Sequence, residues 1–90
     1  MEITFDPEKA ASNIIKHGIS FDEAQTALFD ENALVREDTD QYEQRFVLLG
    51  LSQYLRLLVV VYAVWDEENE VIRLISARVA TKKEERQYAR

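Results

Sequence analysis

Three runs rich in β-branched and aromatic residues, RFVLLGL (45–51), YLRLLVVVYAVW (54–65) and EVIRLISARVA (70–80), follow one another with two and then four polar residues between them. Side chains of this kind favour the pleated, half-buried surface of a sheet. Connections so short join neighbours that run in opposite directions. The second half of the chain is therefore expected to form an antiparallel meander, and the remainder must pack on it.

The first half supplies the packing. ITF (3–5) reads as a short strand, and Asp6-Pro7 is a helix start, with Asp6 as cap and Pro7 at the first helical position. Ala10, Ala11, Ile14 and Ile15 recur at helical spacing up to Gly18, a natural stop, which puts Lys16 and His17 in the last turn. Ser20 with Glu23 forms a capping box ahead of the stripe Phe21, Ala24, Leu28. An acidic connection from Asp30 to Glu43 holds one β-prone triplet, Ala33-Leu34-Val35, expected as a modest strand. Thr81 with Glu84 repeats the capping pattern and opens a last helix through about Ala89. The expected fold is a single α+β domain over residues 1–90 in the order β-α-α-β-β-β-β-α. Its small antiparallel sheet carries two N-terminal helices on one face and one C-terminal helix.

Composition narrows the chemistry. Without cysteine, and with one histidine, a metal site would rest on carboxylates almost alone. No metal and no cofactor is expected. The longest apolar run, LLVVVYAVW (57–65), is far short of the roughly 20 residues a membrane-spanning helix needs. MEITFDPEK has no basic segment followed by an apolar one, so a cytoplasmic location without membrane contact is expected.

Charge is unevenly placed. Residues 1–77 carry six basic and fifteen acidic side chains, whereas residues 78–90 carry five and two, within a net charge of −6. On a helix, Lys82, Lys83, Arg86 and Arg90 fall within about one quadrant, leaving only Tyr88 and Ala89 for contact and predicting a loosely docked element. Such a stripe is either a solvated tail or a phosphate-facing surface. In IRLISAR, alternation places Ser76 and Arg78 on one face and Arg73 on the other unless a bulge intervenes. Arg73 is then either a rim salt bridge or a ligand contact. His17 is either a partner of the helix dipole or a group that moves protons.

Taken together, FDPEKAASNIIKHGISFDEA (5–24), RFVLLG (45–50), LLVVVYA (57–63) and VIRLISARVATKKEERQYA (71–89) resemble the BrnT family, the ribonuclease half of a type II toxin–antitoxin pair. The resemblance covers nearly the whole chain; KHG followed by SF, and ISAR-x-AT followed by ER and an aromatic, carry most of it. It implies a RelE-like fold and metal-independent cleavage of RNA. It also implies a BrnA-type antitoxin that commonly joins the toxin in a heterotetramer and contacts DNA itself, so that the toxin meets DNA only indirectly. By position it implies catalytic roles for His17, Arg45, Arg78 and Tyr88. Lys16, Arg73, Ser76, Lys82, Lys83 and Arg86 would form the RNA- and phosphate-binding set. In this assignment His17 transfers the proton, Arg78 and Arg45 stabilise the phosphorane, and Tyr88 stacks a base or donates its hydroxyl.

Two features depart from the family pattern. Trp65, followed by Asp66-Glu67-Glu68, stands where the family often has an arginine, and is expected either to cap the core or to stack on a base. The net charge is acidic, where an enzyme that attacks RNA is commonly basic. The leading reading is an endoribonuclease toxin inhibited by its antitoxin; the alternative is a non-catalytic antitoxin-binding module serving operon autoregulation. The nuclease reading expects the terminal cations to be left unpaired by the acidic remainder of the chain.

Overall fold

The computed structural model describes residues 1–38 and 43–89; part of the acidic connection, and Arg90 of the basic stripe, lie outside them. The elements are β1 (Glu2–Phe5), α1 (Pro7–His17), α2 (Phe21–Ala27), β2 (Leu34–Asp38), β3 (Arg45–Leu51), β4 (Leu57–Asp66), β5 (Val71–Val79) and α3 (Lys82–Tyr88). One sheet in the order β1-β5-β4-β3-β2 contains every strand. Strands β2 to β5 form the expected antiparallel meander. β1 adds to its edge in parallel, with Ile3 opposite Ile72 and Phe5 opposite Leu74.

Local chemistry explains the helix ends. Asp6 accepts from the Glu8 N–H, and Gly18, at φ 71°, ends α1 in the left-handed region with its own N–H on the Ile14 carbonyl. Ser20 accepts from the Glu23 N–H. The reciprocal half of that box is absent, because the Glu23 carboxylate is buried and turns inward to the Ser52 hydroxyl and the Arg56 guanidinium. At α3 the box is complete between Thr81 and Glu84.

The core lies between α2 and one face of the sheet, where Ile19, Phe21, Ala24 and Ala27 meet Leu48, Leu58, Val60, Leu74 and Ala77. α1 packs on β5, but not through its isoleucines. Ile14 is 52% exposed and Ile15 86% exposed, while Asn13 is buried. The Asn13 amide donates to the Ile19 carbonyl (2.9 Å) and the Ala77 carbonyl (2.8 Å), and accepts from the Ala77 N–H (3.1 Å). A peptide-like partner for β5 thus decides which side of α1 faces inward, and it overrides the apolar stripe.

The opposite, outer face carries a smaller apolar cluster of Leu49, Val59 and Ala80 with Val47, Leu57 and Tyr88. α3 sits against one end of this face. Gly50 lets the two layers close up, since a Cβ there would meet the Ala27 carbonyl oxygen at 2.8 Å.

Candidate nucleic-acid interface

Cross-strand partners project from the same face of a sheet, so the register states which side chains share the outer surface. One row runs Asp38, Arg45, Ala63, Arg73, Thr4; the next runs Arg36, Val47, Val61, Ser76; a third runs Leu34, Leu49, Val59, Arg78. Ile75 is an extra residue between the Leu74–Tyr62 and Ser76–Val61 pairs. This bulge reverses the alternation, so Arg73 and Arg78 share a face that strict periodicity would deny them. Arg36, Arg45, Arg73 and Arg78 therefore project from one face, Arg45 and Arg73 in one row and Arg36 and Arg78 nearer α3. Arg36 was not among the residues singled out from sequence; extending β2 beyond its apolar triplet to Asp38 is what reveals it.

Most of these cations have partners. Arg78 forms a bidentate pair with Glu84 (Nη1–Oε1 2.8 Å, Nη2–Oε2 2.9 Å) and also donates to the Val79 carbonyl at 3.3 Å. Hydrogen bonding from Arg78, with a further bond from the Thr81 N–H, holds the Glu84 carboxyl at about 2, below its ordinary 4.5. The same pair raises Arg78. Arg45 binds Glu43, with Nη2 to Oε1 2.9 Å, and Arg73 approaches Asp6 at 3.8 Å. The expectation that the acidic remainder leaves the terminal cations unpaired is thus corrected for Arg78, while Arg73 makes the rim salt bridge that was one of its two readings. The capping glutamate of α3 lies within reach of the strand before it. Lys82, Lys83 and Arg86 are exposed and have no carboxylate partner among the described residues, and the same holds for Arg36.

Pairing does not exhaust Arg78. A guanidinium has five N–H donors, and the contacts above use three. Its Nε edge still offers two. Between α3 and the sheet, a cleft of about 160 Å³ is lined by Arg36, Arg78, Glu84 and Gln87 over Val47, Leu49 and Val59.

Tyr88 is held by the fold. Its ring packs on the outer apolar cluster, and its hydroxyl donates to Asp30 at 2.5 Å. Asp30 also accepts from the Leu51 and Asn32 N–H groups. Burial would raise its carboxyl, but the three hydrogen bonds outweigh that and hold it below the ordinary value. The Tyr88 hydroxyl is raised by its bond to Asp30. α3 is therefore pinned at two points rather than loosely docked, and Ala89 is exposed.

Lys16, His17 and Ser76 line a separate shallow pocket of about 250 Å³ with Lys9, Ser12 and Asn13, where α1 meets the bulged part of β5. The residues singled out from sequence thus divide into an arginine-bearing sheet face and a histidine pocket at the edge of the same strand. Trp65 does not cap the core. It is 59% exposed and carries the Arg73 guanidinium 4.8 Å from its ring centroid. Among the described residues, no helix is long and apolar enough to cross a membrane.

The fold is that of a small ribonuclease toxin whose structure has been solved. The crystal structure of the Brucella abortus ribonuclease toxin BrnT, at 1.1 Å resolution, superimposes with a TM-score of 0.67 at 24% identity, covering 91% of this chain and 99% of that one. No curated protein matches the chain. Residues 5–84 match the family described as "Ribonuclease toxin, BrnT, of type II toxin-antitoxin system". The chain belongs to the BrnT family.

Proposed function

We propose that this protein is a metal-independent endoribonuclease, held inactive by a cognate antitoxin, and that the outer sheet face receives the scissile phosphodiester. The observation that carries the reading is the gathering of Arg36, Arg45, Arg73 and Arg78 on one face beside a helix bearing Lys82, Lys83 and Arg86. Cleavage through the ribose 2′-oxygen needs a base to take the 2′-hydroxyl proton, cations to stabilise the phosphorane, and a proton for the 5′-oxygen that departs as its bond to phosphorus breaks, which protonated His17 or water can return. Arg78 and Arg45 supply the cations. The exposed Arg45–Glu43 pair is weak enough for a phosphate to replace, and Arg78 keeps its Nε edge free while Glu84 fixes its orientation. His17, with Lys16 and Ser76 beside it, takes the proton from the adjoining pocket. Lys82, Lys83 and Arg86 position the backbone, and Tyr88 acts by anchoring α3. The antitoxin covers this face, in a heterotetramer whose DNA contacts belong to the antitoxin.

The test is cleavage of single-stranded RNA by the purified chain in the presence of a chelator. Arg78→Ala and His17→Ala should each slow cleavage about a hundredfold or more, with folding confirmed by thermal melting, and adding the antitoxin should abolish it. A folded chain that cuts no RNA and does not arrest growth when expressed would leave the antitoxin-binding module as the reading. Undiminished cleavage by both variants would overturn the roles of Arg78 and His17.

A further inference from the structure

Trp65 is the one tryptophan of the chain, and most of it faces water. A single exposed apolar side chain is ordinary, and Ile15, Leu55 and Phe29 are more exposed than Trp65; what sets Trp65 apart is the cation held over its ring. Its position follows from a second bulge, since Val64 opposes Ile72 and Asp66 opposes Val71, leaving Trp65 as the extra residue. Arg73 lies over one side of the ring, 4.8 Å from the centroid, inside the range of about 6 Å at which a cation and a π-face attract. At 59% exposure the indole keeps surface that Arg73 does not cover, and both side chains line a shallow pocket with Thr4, Phe5, Asp6 and Pro7. Both side chains belong to the arginine-bearing face, where Arg73, Ala63 and Arg45 stand in one row. Ala63 is buried at 1% exposure beneath its neighbours and lies between two arginines whose strands are about 10 Å apart.

We propose that Trp65, steadied by Arg73, is a stacking site for an unpaired nucleobase of the RNA, next to the phosphate held at Arg45. The inference rests on the ribonuclease reading and adds to it the part of the substrate that this corner recognises. The chemistry favours a base over a second phosphate. Asp6 lies 3.8 Å from Arg73, and Asp66 follows the tryptophan with its carboxylate on Asn69, so negative charge already surrounds the site. A neutral base meets no repulsion there, and its π-face can stack on the side of the indole that Arg73 leaves uncovered. Every base has such a face, so the site tolerates any sequence.

Because there is one tryptophan, its fluorescence reports this contact alone. The probe is a short single-stranded RNA with 2′-O-methyl groups at every position, which removes the attacking hydroxyl, and a second strand of the same backbone with abasic residues. The complete strand should quench Trp65 in step with binding followed by anisotropy of an end label. The abasic strand should bind about tenfold more weakly and leave the emission unchanged. Trp65→Ala should lose a similar factor in affinity and raise KM for cleavable RNA, with a smaller effect on kcat, and Trp65→Phe should restore most of the loss. If the complete strand binds without quenching and Trp65→Ala binds like the parent, the stacking site is wrong while the ribonuclease reading stands. If the folded chain neither binds nor cuts RNA, both fall. Quenching by antitoxin but not by RNA would make this corner a protein interface and overturn the proposal.

Discussion

At the scale of single residues, Asn13 does with one amide what a further strand would otherwise do. β1 pairs with β5 only as far as Leu74, and beyond that point the Ala77 N–H and carbonyl would face α1 without partners. The Asn13 side chain satisfies both and also binds the Ile19 carbonyl after the Gly18 turn. Asn13→Ala should therefore lower stability by about 2–4 kcal/mol, since it strands buried backbone groups; chemical denaturation measures it. A loss under about 1 kcal/mol would mean that water replaces the amide without penalty. The residue signals that sequence carries well are the ones spent locally. The cap at Asp6, the left-handed Gly18 and the Thr81–Glu84 box each act within a few positions and are where the pattern places them. Asn13 reaches a strand 64 residues away, and a helical stripe of alanine and isoleucine gives no sign of it. The one visible hint is a polar side chain interrupting that stripe.

Among the elements, α3 shows best how a weak local pattern is rescued by distant partners. Its sequence offers little apolar surface, yet Glu84 grips Arg78 and Tyr88 reaches Asp30. These contacts set a pH dependence. The folded Glu84 carboxyl sits at about 2 against an ordinary 4.5, so its contribution is complete above about 4.5 and disappears as pH falls toward 2. Glu84→Gln should cost about 1–2 kcal/mol at neutral pH, a figure reduced for screening around the half-exposed Arg78. The gap from the parent protein should close on acidification through that window. Denaturation of both proteins at about pH 7 and about pH 2.5 decides it; a constant gap would show that the pair does not support the docking. The strands were legible because β-branched runs between short turns leave few alternatives, and β3 spans Arg45–Leu51 as its apolar pattern predicts. The bulge at Ile75 was not, because nothing in IRLISAR marks the residue to be skipped. The shared face of Arg73 and Arg78, and with it the geometry of the candidate site, became visible only in the register.

For the whole molecule, the balance of charge governs how RNA could approach. A body with net charge −6 repels a polyanion at long range, so the proposed function assigns encounter to the exposed lysines and arginine of α3. Replacing Lys82 and Lys83 by alanine should reduce the slope of log affinity against log salt by about 0.7 for each contact removed, without changing cleavage at saturating RNA. An unchanged slope would mean that α3 does not touch the backbone. The lopsidedness itself can be counted from the sequence, whereas the carboxylates that answer Arg45, Arg73 and Arg78 become apparent only once the chain is folded. One aspect of the topology bears on how the protein comes into being. β1 is held by β5, and the Thr4 hydroxyl donates to Ile72 across 68 residues. A ribosome that has released only the first two-thirds of the chain has made a strand with nothing to lie against. β1 can pair only after β5 has been made, and long-range pairing of this kind is slow to form.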